Sequence, residues 1–149
     1  MSFEDRSNLV MILINLAMAV YFGFWILPEV FSGGYAGADG LTQWAQAVLL
    51  VIPIAIVATI VLTILVTIGY AIATQNAKPS EVVDERDRAI GVLGLRINLV
   101  VAGVGFLLAL IGLAFLGWTA IVVLNLTFLG FMAGGLAGDV TKFVLYRQG

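Results

Sequence analysis

Five consecutive charged residues, Asp84-Glu85-Arg86-Asp87-Arg88, stand in a chain that is 62% apolar and only 11% charged. The first chemistry to weigh for such a cluster is metal binding by Asp84, Glu85 and Asp87. Consecutive acids on a helix point to different faces, however, and the neighbouring arginines compete for them. A self-neutralised helix start fits better. Asp84 and Arg88 lie four apart and Glu85 and Arg88 three apart, which are pairing distances on a helix. Pro79 and Ser80 make a plausible start for that helix, with Glu81, Asp84, Glu85 and Asp87 near its positive end. The functional expectation for Asp84, Glu85, Arg86 and Arg88, together with Arg147, is a docking surface for a cytoplasmic partner. With both signs interspersed, the cluster is a poor polybasic lipid site.

The absences are equally informative. The chain has no histidine and no cysteine. That removes the commonest proton shuttle, thiolate chemistry and the commonest metal ligand. A non-enzymatic protein without a cofactor is expected. The net charge of −2 points to no nucleic-acid partner.

Two further ionisable residues lie at the margins of apolar runs, Arg96 and Asp139. Asn15 and Asn125 lie near the middle of such runs, and Thr59, Thr63 and Thr67 form a stripe at four-residue spacing. Amides inside a membrane usually bind across helices, and threonines usually bond back to their own backbone. The threonine stripe and Asn125 could alternatively line a transport path. No run carries a central Asp, Glu, Lys or Arg, which weighs against a proton-coupled pump.

The elements that must position these residues are four apolar runs. They predict membrane helices at about residues 9–27, 44–74, 84–116 and 118–146. The third includes a charged extension at its start. The mean hydropathy of +1.11 is that of an integral membrane protein. The expected architecture is an all-α bundle of four transmembrane helices forming a single domain over residues 1–149. The N-terminal "MSFEDRSN" is too acidic for a signal-peptide n-region, so the first run is expected to be a retained helix. Pro53 should bend the second helix.

Topology follows from the loops. All 7 basic residues fall at the N-terminus, in the second connection or at the C-terminus. The positive-inside rule makes that side cytoplasmic, so both termini are expected inside a cell (inner) membrane. The Gly-rich connection 28–43 then faces outward, flanked by Trp25 and Trp44, with Trp118 at the other outer turn as an aromatic belt. Only Gly117-Trp118 separates the last two runs, which must form a tight antiparallel hairpin. That hairpin places Arg96 level with Asp139 and Arg147 level with Asp87 and Arg88. Since an ionisable group at that depth is tolerable when paired, an Arg96–Asp139 ion pair is expected.

Gly130, Gly134 and Gly138 recur at every fourth position and line one face of the last helix. Ala102, Gly105, Ala109 and Gly112 offer a matching set on the third. Small residues in this register permit close helix packing, within the chain or between copies.

Asp84-Glu85-Arg86 followed by Ile90 opens this hairpin, and Tyr146-Arg147 with Gly149 closes it. The second half of the chain thereby resembles a group of small prokaryotic membrane proteins catalogued as a domain of unknown function. Their pattern is "DER" before a hairpin and a "YRRG"-like end. Gln148 stands here where the second arginine would be. The resemblance implies four helices and a bacterial-type membrane, and it implies no activity. The function expected is action by association, as an accessory or regulatory subunit or a homo-oligomer. The expected partners are membrane lipid and a second copy or a larger membrane complex. A small transporter or channel is the alternative.

Overall fold

The computed structural model describes residues 3–75 and 84–148. It is all-α. Helix α1 (Phe3–Tyr21) continues through a π-helical turn (Phe22–Ile26) into α2 (Leu27–Ser32); α3 (Gly40–Thr74), α4 (Glu85–Phe115) and α5 (Ala120–Arg147) follow. Counting α1–α2 as one unit, four helices among the described residues are long and apolar enough to cross a membrane.

The first helical unit extends past its apolar run at both ends, from Glu4 to Ser32 as a candidate span. Apolarity marks where hydrocarbon would lie, not where the helix ends. Glu4 and Asp5 sit in the first turn, where the helix dipole favours acids. Downstream, Pro28 has no N–H for the carbonyl four residues earlier, and its ring would crowd that carbonyl. The turn before it widens accordingly, and the Leu27 N–H bonds to the Phe22 carbonyl. The widened turn brings Phe22 and Ile26 to one side, where both are buried. Helix α3 continues unbroken through Pro53.

Helix α4 begins at Glu85. Asp84 is its N-cap, and its carboxylate accepts the Asp87 N–H at 2.7 Å while the Asp87 carboxylate accepts the Asp84 N–H at 3.3 Å. This reciprocal capping box corrects two sequence expectations. Asp84 and Asp87 serve the backbone, and no Asp84–Arg88 or Glu85–Arg88 ion pair forms among the described residues. Pro79 and Ser80, expected to start the helix, lie outside the described residues. Replacing Asp84 with Ala should remove about 1 kcal/mol of local stability. Faster amide exchange confined to the first turn of α4 would show it.

The helices stand in a row, α4–α5–α1–α3, instead of closing into a ring. The α4–α5 hairpin has much the most extensive contact, α1 packs on α5, and α3 packs on α1. Gly117, at φ 68°, makes the turn between α4 and α5. The glycine ridge of α5 faces α4 within the same chain. A Cβ on Gly134 would lie 2.6 Å from the Asn98 carbonyl oxygen, and one on Gly138 the same distance from that of Gly94. Gly130 meets Gly105 backbone to backbone. Gly135, the next residue on, faces Asn15 of α1. The paired glycines thus let α5 approach a different neighbour on each side.

At the end carrying the Gly-rich loop, Phe22, Ile26, Trp44 and Val48 form the buried apolar core, and Phe22 stacks on Phe128 of α5. Trp44 is therefore not a belt residue. It is 7% exposed, and its indole N–H donates to Asn125 Oδ1 at 3.1 Å. Trp25 is exposed, and Trp118 covers Gly112, where any side chain would collide with the indole.

Candidate functional site

The buried charges gather at the opposite end, where both termini lie. Asp5, Arg6, Asn8 and Asp139 are all buried there. Helix α5 supplies Asp139 from the turn after Gly134-Gly135, the stretch that lets α4 and α1 press close on either side. Lys142 and Asn15 both meet the Asp139 carboxylate. Lys142, one turn on, approaches Oδ1 at 2.5 Å, and the Asn15 amide of α1 donates to Oδ2 at 2.7 Å. The Asn8 amide, two turns before Asn15 on α1, donates to the Asp139 backbone carbonyl at 2.8 Å. Asp139 thus ties α1 to α5 at a depth where an unpaired carboxylate would be costly.

This arrangement corrects the expected Arg96–Asp139 ion pair. The hairpin register is as expected, since Gly105 meets Gly130 and Gly94 meets Gly138. Equal depth is not equal direction, however. Arg96 lies two residues beyond Gly94, about 200° around α4, because each residue turns about 100°. Its side chain is exposed on the outer face of α4. No Arg96–Asp139 pair forms among the described residues. Lys142 takes the place instead, because the missing side chain at Gly94 leaves room for its methylenes: a Cβ there would lie 2.6 Å from Lys142 Cγ.

Around this centre α1, α3, α4 and α5 all add polar contacts at the terminal end. The Arg6 guanidinium lies 4.1 Å from the centroid of the Tyr70 ring of α3, a cation–π contact away from solvent. Arg86 donates to the Leu145 carbonyl at 3.0 Å, serving one of the last four carbonyls of α5, which have no partner in their own helix. The Tyr146 phenol lies beside the Asp87 carboxylate, with Glu4 and Asp5 nearby. The end of α5 therefore runs beside the start of α4, and Arg147 lies over Phe143 of its own helix. Of the expected partner surface, Asp84, Glu85, Arg86, Arg88 and Arg147 are all exposed, with Arg86 already engaged.

No family model, curated protein or solved structure matches this chain. What the site does is carried by its own geometry.

That geometry ties α1 to α5 through polar contacts. Among the described residues no three carboxylates converge to hold a metal ion. Residues of the alternative polar path make bonds within and between helices. Thr59 and Thr67 donate to the carbonyls of Ala55 and Thr63, one turn back on α3. Asn125 is held by Trp44 on one side and donates to the Ile121 carbonyl on the other. Only Thr63 and Thr67 approach the network, lining a narrow cleft with Arg6. The wider groove between α1 and α3, about 150 Å³, is lined by Ile14, Val51, Ile54 and other apolar residues. At the loop end, burial pushes the Tyr35 phenol above its ordinary range, with the Glu29 carboxylate and Tyr21 adding to the shift.

Sequence reading missed Asp5, Arg6, Asn8, Lys142 and Tyr70 as members of this network. Asp5, Arg6 and Asn8 precede the apolar run, so periodicity gave no reason to bury them. One signal was available: Asn8 and Asn15 are seven apart, two turns on one face of a helix.

Proposed function

We propose that this chain is a non-enzymatic integral membrane protein that acts by association, as an accessory or regulatory subunit or as a homo-oligomer. It sits in the cell (inner) membrane of a bacterial-type cell, with both termini cytoplasmic. The orientation follows from the basic residues, all of which fall in sequence at the N-terminus, in the second connection or at the C-terminus.

The observation that carries this reading is the open row of helices. Helix α3 is 35 residues long and packs mainly on α1; at its start Trp44 and Val48 also meet Phe22 and Ile26 of the π-helical turn, and Trp44 reaches Asn125 of α5. Its other face, through Ile54, Val57, Val61, Leu65, Ile68 and Ile72, is uncovered. A helix held on one side leaves surface on which another transmembrane helix can pack. The interior polar groups favour the same reading, since Asn8, Asn15 and Trp44 bond from one helix to another. The exposed Asp84, Glu85, Arg88 and Arg147 offer a charged surface to a cytoplasmic partner.

The test is the mass of the intact particle purified in mild detergent. The expected mass, after detergent and lipid are subtracted, exceeds one 15.8 kDa chain, as an integral multiple or with a second polypeptide. A monodisperse single chain, in detergent and in bilayer nanodiscs alike, would overturn the proposal.

A further inference from the structure

Arg96 is a charge that the fold leaves outside. It projects from α4 on the side opposite the hairpin contact, among Val92, Leu95, Leu99 and Val100, each at least half exposed. It has no ion pair among the described residues. The apolar stretch that follows, Ile97 to Phe115, rises about 30 Å, the thickness of a hydrocarbon core. Arg96 therefore stands where hydrocarbon gives way to headgroups. A guanidinium at that depth is costly unless it reaches phosphate or water, and a phosphate accepts its parallel N–H groups in pairs.

A second arginine shares the face. Arg88 lies two turns earlier, about 12 Å along the axis, with Val92 between the two on an i, i+4, i+8 line. It too is exposed and makes no ion pair among the described residues, Glu85 on the preceding turn included. Asp87 faces the other way, toward Tyr146. The outer face of α4 thus presents two unengaged guanidinium groups above a strip of exposed aliphatic side chains.

We propose that this face binds an anionic phospholipid, with Arg96 on the headgroup phosphate, Arg88 toward the outer part of the headgroup, and Leu95, Leu99 and Val100 along the acyl chains. The charge pattern and the aliphatic strip match the two halves of such a lipid. The inference rests on the four helices crossing a bilayer and is independent of whether the protein associates with others.

The test is lipid retention by the full chain, measured by native mass spectrometry after purification in a mild detergent with added phosphatidylglycerol or phosphatidylcholine. Phosphatidylglycerol should be retained preferentially. Arg96→Gln should lower its retention about five-fold, the effect of losing one arginine at an anionic surface. Arg88→Gln should lower it less, and Arg96→Lys should keep part of it, because the charge remains without the paired donors. Both positions are exposed, so melting temperatures should stay near that of the parent and separate lost binding from lost folding. Equal retention of the two lipids, or undiminished phosphatidylglycerol in Arg96→Gln, would overturn the proposal. Displacement by inorganic phosphate alone would also overturn it, since the acyl chains would then contribute nothing.

Discussion

Replacing Asp139 with leucine should destabilise the folded protein by about 3 kcal/mol, the lower end of what breaking a buried charge pair costs. The reason is what the substitution leaves behind. Lys142 loses its carboxylate 2.5 Å away, and the Asn15 amide loses its acceptor at 2.7 Å. The lysine side chain is 26% exposed, so it can partly reach water, which keeps the cost at that lower end. Asp139→Asn keeps an acceptor for Asn15 but not the charge, and should fall between parent and leucine. Asn15→Leu, which removes one interhelical hydrogen bond, should cost about 1 kcal/mol. Asp139→Leu combined with Lys142→Met should recover much of the loss, since no unpaired charge remains. Arg96→Gln should leave stability near the parent's. Reversible unfolding in mixed micelles, followed by tryptophan fluorescence, gives each value. If Arg96→Gln matched Asp139→Leu and Lys142→Met cost nothing, the carboxylate would belong to Arg96 after all.

The second large effect is expected in the glycine ridge. Gly134→Leu should cost about 3 kcal/mol, and Gly134→Ala already 1–3 kcal/mol, the usual range for overpacking. A Cβ at Gly134 meets the Asn98 carbonyl oxygen at 2.6 Å, the Asn98 side-chain oxygen at 2.7 Å and the Ala102 nitrogen at 3.1 Å. Two of those atoms are backbone of α4, which cannot rotate aside as a side-chain tip can. The helices must separate, and Gly130 against Gly105 and Gly138 against Gly94 would lose contact with them. Gly103, on the same helix as Gly105, has open space where its Cβ would be. Gly103→Ala should therefore be neutral or stabilising by up to about 1 kcal/mol, from the better helix propensity of alanine. The same unfolding measurement tests both. Equal effects at Gly134 and Gly103 would mean that helix propensity, not close packing, sets the cost.

These two predictions mark where sequence and structure part. The glycine ridge was legible because every fourth residue of a helix shares a face whatever surrounds it, and because a connection as short as residues 116–119 leaves the hairpin little choice of register. Asp139 was legible only as a depth. Its pairing depended on which way each side chain points around the axis, and on a gap at Gly94 that admits Lys142. Trp44 shows the same limit. Its place beside a loop suggested an aromatic belt, while the row of helices brought Asn125 within reach of its indole and buried it.

The amino-acid sequence by itself determined the all-α class, the number of apolar helices and the antiparallel α4–α5 hairpin. Length, hydropathy and helical periodicity are properties of neighbouring residues along one chain, so they can be read without a partner. Only the tertiary structure decided that the helices stand in an open row, that Asp5, Arg6 and Asn8 are buried, and that Arg96 faces outward. Those outcomes turn on which helix faces meet, and among helices that are apolar nearly all round, periodicity does not choose between the faces. The choice falls to shape and to a few polar contacts: glycines that admit a backbone, Pro28 with its widened turn, and amides that must find an acceptor.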